Sequence, residues 1–255
     1  LVNSNPDNEK KNPMYQRIWT MVYSFLMFIL VRNAVQYALL ALLYQLAQSG
    51  ASGGLVDLLI LRDETGAYNG YSGDVSSIIA ALGFIGGALA VWSTAKLLIT
   101  KNKEDMHLSH LKKEGKAKYA LLVATTIGAV IGCNLLFDLL GVTNKSEAYT
   151  EVATQQYSAH FIVGILVFGF ISPIAEELLF RGVIYGYLRR FMDLKLAIAL
   201  SALIFGVYHM NYVQGIYGFL IGCLMAYAYE YFGEFKMAVF VHVSSNVLAY
   251  CLSYT

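Results

Sequence analysis

Charged side chains are scarce in this chain of 255 residues. Asp, Glu, Lys and Arg make up 14% of it, whereas soluble domains carry roughly 25%. Hydrophobic residues make up 57%, and the mean hydropathy is +0.54. The net charge of +1 leaves no basic excess for binding nucleic acid, which is therefore not predicted as a partner. This balance indicates a polytopic membrane protein with the lipid bilayer as its surroundings.

Cysteine is equally sparse. The three cysteines stand singly in apolar segments and show no paired spacing, so the sequence predicts no disulfide framework. We expect Cys133, Cys223 and Cys251 to be small buried side chains.

Seven apolar segments alternate with polar ones, at about 18–48, 76–100, 119–142, 158–190, 196–210, 213–231 and 237–254. The first segment is longer than a bilayer core of about 30 Å requires and the fifth is shorter, so the count of seven spans has a range of six to eight. We predict an all-α, polytopic transmembrane helical bundle. Residues 1–157 form an N-terminal tail with three accessory spans, and residues 158–255 form a core of four helices that carries the catalytic residues.

Lysine and arginine mark alternate connections between these segments. Basic residues are frequent in 1–17, 101–118 and 189–195 and occur at Lys236, whereas 49–75 and 143–157 are lysine-poor polar loops, the first with a short helix near 55–61. The positive-inside rule then places the N-terminus in the cytoplasm and the C-terminus outside. We expect an integral membrane protein.

The stretch 171–190 places three charged residues inside an apolar helix, and each costs about 2.5–3.5 kcal/mol at the bilayer centre on insertion scales. Glu177 and Arg181 are four residues apart, which suits an ion pair. Glu176 points about 100° away from them and has no local partner, which suits a general acid or base. Alternatively, all three charges only tie helices together. Pro173 predicts a kink just before Glu176.

Two later apolar segments supply further polar residues. FGVYH places Phe205 and His209 on one helical face, and HVSSN does the same for His242 and Asn246. Polar groups on successive membrane helices can satisfy one another in a shared cavity. Because no serine or cysteine nucleophile stands beside these histidines, the predicted nucleophile is an activated water.

Two mechanisms fit these residues. In one, Glu176 takes a proton from water that His209 orients, while His242 and Asn246 stabilise the oxyanion. In the other, Glu176, His209 and His242 hold a zinc ion that lowers the pKa of its bound water. The sequence leaves open whether the cofactor is one zinc ion or none.

Three further polar residues need an interpretation. Arg32 interrupts the first span and is either a structural charge facing the bundle, which we favour, or part of a lipid or substrate path. His107 and His110 have an HxxH spacing, but they lie in a lysine-rich loop without further ligands, so we expect them to be solvated.

The three polar motifs carry a resemblance. EELLFRG (176–182), FGVYH (205–209) and HVSSN (242–246) resemble the EExxxR, FxxxH and HxxxN motifs of the CPBP family, the CAAX proteases and bacteriocin-processing enzymes also called Abi. The resemblance covers about 161–254. It implies an intramembrane endopeptidase that hydrolyses a peptide bond of a membrane-associated or lipidated peptide or protein. The family is often called a metalloprotease family, although a metal-free glutamate mechanism has also been argued for it.

The resemblance also implies roles for individual residues. Glu176 corresponds to the catalytic glutamate and His209 to its water-activating partner, whereas His242 and Asn246 form the third motif's pair. Glu177 and Arg181 correspond to the supporting ion pair. Eukaryotic members trim prenylated CAAX proteins, and bacterial members are linked to peptide maturation, bacteriocin self-immunity and quorum signalling.

Other readings remain open at this point. The chain could be a non-proteolytic scaffold or bacteriocin-immunity protein, or a transporter that uses Glu176 and the histidines as a proton or metal relay. For a protease, we expect cleavage near the cytoplasmic side of the membrane.

Overall fold

A computed structural model describes residues 14–105 and 115–254. The predicted solvated histidines, His107 and His110, lie outside this part of the chain. The predicted all-α architecture is confirmed, since the regular structure of the described residues is helical apart from one short antiparallel hairpin of strands β1 (Leu61–Arg62) and β2 (Tyr68–Gly70).

The described helices follow the predicted segments closely. They are α1 (Met14–Gln48), α2 (Leu55–Leu59), α3 (Gly73–Asp105), α4 (Lys116–Leu140), α5 (Glu147–Tyr157), α6 (Phe161–Leu188), α7 (Leu194–Tyr208), α8 (Tyr212–Phe232) and α9 (Phe235–Ser253). Six of them, α1, α3, α4, α6, α8 and α9, are long and apolar enough to cross a membrane. Helix α7 has 15 residues and is shorter than a full span.

Helix α6 lies at the centre of the bundle. It is the most buried of the six membrane-spanning helices. The side chains of Leu179, Phe180 and Val183 are fully buried, and they belong to one apolar cluster together with residues of α3, α8 and α9. Because neighbouring helices surround α6, polar side chains on it are shielded from lipid.

The backbone of α6 widens around Pro173. Two π-helical stretches, Ile165–Ile171 and Leu178–Tyr185, flank the α-helical turn Ser172–Glu177. In the first, the Ser172 N–H bonds to the Val167 carbonyl, five residues back. Pro173 has no N–H to continue this pattern. The helix thus accommodates the proline by local π geometry, which is frequent at functional sites.

Helices α7 and α8 form a close antiparallel pair. A Cβ atom at Gly206 would lie 2.5 Å from the Gly215 carbonyl oxygen, so only glycine permits this approach. The turn between the helices contains Met210, which has a left-handed φ of 57°. Such a backbone is rare outside glycine, and it holds His209 at the very end of α7.

Two local predictions were wrong. Residues 143–157 were expected to be a loop but contain α5, which begins where the Ser146 hydroxyl accepts a hydrogen bond from the Tyr149 N–H. Cys251 was expected to be buried but is exposed, whereas Cys133 and Cys223 are half-buried. The long first segment is one continuous helix through Arg32.

Candidate active site

A cavity of about 400 Å³ lies inside the bundle. Its walls come from α1 and from α3 to α9. All four residues predicted to act on the substrate line this cavity: Glu176, His209, His242 and Asn246. Three motifs that are far apart in the sequence therefore meet in one place.

Glu176 is a buried carboxylate with few partners. Its Oε1 atom accepts one long hydrogen bond of 3.2 Å from the Ser172 hydroxyl, one helical turn earlier. Its Oε2 atom lies 3.7 Å from His242 Nε2. The carboxylate is therefore held in place but keeps acceptor capacity toward the cavity. Ser172 was missed by sequence reasoning, although its i−4 spacing from Glu176 was a usable signal.

Glu177 and Arg181 form the predicted ion pair. Arg181 Nη1 donates to Glu177 Oε1 over 2.8 Å, and both side chains are fully buried. The guanidinium also donates to the Gly222 carbonyl over 3.0 Å and lies 4.8 Å from the centre of the Phe205 ring. Each of these contacts links α6 to another helix, so the pair joins three helices of the core.

His242 connects this ion pair to Glu176. Its Nδ1 atom lies 2.9 Å from Glu177 Oε1, while its Nε2 atom points toward Glu176. A carboxylate on one imidazole nitrogen sets the ring orientation and the role of the other nitrogen. Glu177 thus does more than the supporting role implied by the sequence, because it also orients a residue of the cavity wall.

His209 packs against the Phe205 ring, as His242 does. Ring centroids are 4.9 Å apart for Phe205 and His209 and 5.3 Å apart for Phe205 and His242, both edge-to-face. His209 Nδ1 lies 2.9 Å from the Phe205 carbonyl oxygen, which leaves Nε2 as the free nitrogen. Asn211 Nδ2 donates to the His209 carbonyl over 3.1 Å and supports the strained turn, a role the sequence reasoning did not find.

Asn246 bonds to a backbone carbonyl that Pro173 leaves without its helical partner. In π geometry, the N–H of residue 173 would bond to the Phe168 carbonyl, but proline has none. Asn246 Nδ2 instead donates to that carbonyl over 3.0 Å. Its second amide hydrogen remains available for another acceptor.

The donor atoms do not fit the zinc site considered from the sequence. Within residues 14–105 and 115–254, no three His, Cys, Asp or Glu side chains are grouped so that they can hold a metal ion. His242 has an ion-pair contact with Glu176, whereas His209 Nδ1 lies against a backbone carbonyl.

The end of the cavity under α5 is aromatic. Tyr149 and Tyr157 of α5 line it, together with Tyr217 and Tyr250 of the neighbouring helices. Burial raises the pKa of both Tyr149 and Tyr157, so these phenols remain neutral at ordinary pH. This end therefore offers apolar ring faces with a few hydrogen-bonding hydroxyls, an environment suited to an amphipathic ligand.

Comparison with known proteins finds one family that is similar to the part of the chain carrying this site. The model of the family described as type II CAAX prenyl endopeptidase Rce1-like matches residues 158–248, a little over a third of the chain. No curated protein and no solved structure matches the chain significantly. The matched residues include every one of the predicted site residues, and the helices α1 to α5 lie outside the match.

Proposed function

Because residues 158–248 form an Rce1-like domain, which belongs to the CPBP family, we propose that the chain is an intramembrane endopeptidase using glutamate-activated water. One observation carries this proposal: Glu176, with a single long hydrogen bond, faces a cavity shared with His209, His242 and Asn246. A carboxylate that is buried yet weakly partnered is suited to accept and return a proton.

The proposed reaction begins with a water molecule between Glu176 and the substrate carbonyl. Glu176 takes a proton from this water, and the water oxygen forms a bond to the carbonyl carbon while the C=O π electrons move to oxygen. When this oxyanion collapses, the C–N bond breaks and Glu176 passes its proton to the leaving nitrogen. The products are a carboxylic acid and an amine, and Glu176 is regenerated.

The neighbouring residues have distinct proposed roles. The free Nε2 of His209 accepts a hydrogen bond from the water and orients it. His242, whose Nδ1 lies against Glu177, and the second amide hydrogen of Asn246 stabilise the oxyanion. Glu177 and Arg181 keep this arrangement in place, and no step passes through a metal ion.

The proposed substrate is a membrane-associated or lipidated peptide or protein. The family that matches residues 158–248 is described as a prenyl endopeptidase family. The cavity fits such a substrate, since both aromatic rings and polar groups line it. We also propose that the protein lies in a bacterial cytoplasmic membrane with its N-terminus in the cytoplasm, as the basic connections indicate.

Cleavage by the purified full chain in detergent tests the proposal. The probe is a farnesylated peptide with a CAAX C-terminus, and mass spectrometry detects the products. Glu176→Gln keeps the size of the side chain but removes the base, so we expect loss of cleavage by a factor of at least about 10². Glu234→Gln is the matched control, since Glu234 lies in the α8–α9 turn beside Lys236.

Two results would contradict this mechanism. Equal cleavage by wild type and Glu176→Gln would remove Glu176 from the chemistry. Binding of the probe without cleavage by wild type would favour the alternative of a non-proteolytic scaffold or immunity protein.

A further inference from the structure

A second cation, Arg32 of α1, lies on the wall of the same cavity. Its guanidinium lies 4.1 Å from the centre of the Phe84 ring and 5.9 Å from that of Tyr208. It also donates a hydrogen bond to the Tyr208 hydroxyl. Its Nε atom is buried without a hydrogen-bond partner in the described part of the chain.

The two arginines of the cavity region differ in one respect. Arg181 is neutralised by Glu177 at 2.8 Å. Arg32 has no carboxylate within ion-pair distance among residues 14–105 and 115–254, and it contacts the Phe84 ring and the ring and hydroxyl of Tyr208, which are all neutral. A cation in a membrane helix is costly without an anionic partner. A purely structural role, which the sequence favoured, would not need the positive charge to hold Tyr208.

We propose that Arg32 binds a carboxylate of the substrate, a step that rests on the endopeptidase function proposed above. The planar guanidinium presents donors in a fork that matches a carboxylate. Tyr208 directly precedes His209 in the chain, so an anion at Arg32 would lie beside the reacting groups. The carboxylate is either the C-terminus of the peptide or an acidic side chain, since both have the same chemistry.

Binding of three probe peptides tests this role. Each is fluorescein-labelled and farnesylated: one has a free C-terminal acid, one a C-terminal amide, and one an amide with a glutamate near the farnesyl cysteine. Fluorescence anisotropy with the full-length Glu176→Gln chain measures affinity without cleavage. We expect the free acid, the glutamate peptide or both to bind at least about tenfold tighter than the plain amide.

In a chain that also carries Glu176→Gln, Arg32→Gln should reduce the preference for the carboxylate peptides to about twofold or less. Arg17→Gln, at the start of the same helix and away from the cavity lining, should preserve it, and so should Tyr208→Phe, which removes only the hydroxyl. Equal binding of all three peptides, or an unchanged preference in Arg32→Gln, would overturn the proposal. Because anisotropy does not depend on turnover, this result is separate from success or failure of the cleavage experiment.

A different observation concerns the depth of the cavity. Each lining helix contributes residues from the same half of the bundle: Ser76 to Phe84 in α3, Phe168 to Glu176 in α6 and His242 to Ser253 in α9. These halves are the ones joined by the connections at 49–72, 141–160 and 209–211. The other half is filled, since Glu230 accepts from Tyr185 over 2.7 Å and from Arg189 over 2.9 and 3.1 Å.

Most Lys and Arg residues lie in the segments at the filled half of the bundle. Segments 1–17, 101–118, 189–195 and 233–236 contain 13 of the 18 Lys and Arg residues of the sequence, whereas 49–75 and 141–160 contain two. In short connections this asymmetry sets the orientation of a membrane protein. We infer that the cavity opens away from the cytoplasm, contrary to the expectation from the sequence. If the proposed function holds, its substrate is a peptide presented at the outer face.

Cysteine labelling of intact cells tests this orientation without requiring activity. In the full chain with Ala at positions 133, 223 and 251, single cysteines replace two exposed residues, Glu151 of α5 and Lys195 at the start of α7. A membrane-impermeant maleimide should label Glu151→Cys in intact cells and Lys195→Cys only after permeabilisation. The reverse pattern, or equal labelling of both in intact cells, would overturn the inference.

Discussion

Removing Arg181 should destabilise the protein strongly. The guanidinium is fully buried, neutralises Glu177 and donates to the Gly222 carbonyl. In Arg181→Ala, Glu177 would remain buried with only His242 beside it. Breaking a buried pair by removing one partner costs about 3–5 kcal/mol. An unsatisfied Gly222 carbonyl adds about 1–3 kcal/mol. Their combined size approaches the whole stability of a typical domain, about 5–15 kcal/mol.

A double variant separates stability from activity. Glu177→Gln with Arg181→Met removes both charges and keeps approximate side-chain volumes. It should recover most of the stability lost in Arg181→Ala, because replacing both members of a buried pair is often neutral. It should still lose activity, since a neutral amide at position 177 no longer holds His242 as a carboxylate does.

Unfolding of the purified full chain in increasing SDS, followed by circular dichroism, measures the stability of each variant. Cleavage of the farnesylated peptide measures activity on the same samples. An Arg181→Ala protein within about 1 kcal/mol of wild type would refute the argument that the pair holds the core. Wild-type activity in the double variant would refute the role of Glu177 in orienting His242.

Three further outcomes follow from local contacts. Ser172→Ala removes the one hydrogen bond to Glu176, so the cleavage rate should fall about 2- to 10-fold with unchanged substrate affinity; unchanged rates would show that this bond is dispensable. Gly222→Ala should cost about 1–3 kcal/mol of stability, because the new Cβ would lie 3.1 Å from Arg181 Nη2. Gly128→Ala is its control and should leave the stability of the protein unchanged, because a Cβ there would have nothing within 4 Å. Since no three donors are grouped for metal binding in the described chain, purified active protein should contain far less than one zinc per chain, and a chelator should not inhibit it; stoichiometric zinc with chelator-sensitive cleavage would contradict this.

Glu177 contacts two partners, of which the sequence revealed one. The i, i+4 spacing from Arg181 predicts the ion pair, and the pair is present. Its contact with His242 spans 65 residues of sequence and could not be read from spacing. The ion pair and the cavity therefore form one connected network, and a change in either should be felt in the other.

Local chemistry determined a large part of this protein. Long apolar segments and scarce charge predict the membrane helices, because the backbone must satisfy its own hydrogen bonds in lipid. Isolated carboxylates and histidines in those helices mark the candidate site, because each is costly without a partner. These are properties of single segments, and the sequence alone reveals them.

Which of these groups meet depends on the packing of the helices. The tertiary structure placed Arg32 on the cavity wall with Glu176, paired Asn246 with the carbonyl freed by Pro173, and folded the supposed loop at 143–157 into a helix over the cavity. Each depends on how separate helices pack and at what depth their residues lie. The sequence carries no direct signal for such contacts, since hydrophobic periodicity reports which face of a helix is buried but not which neighbour covers it.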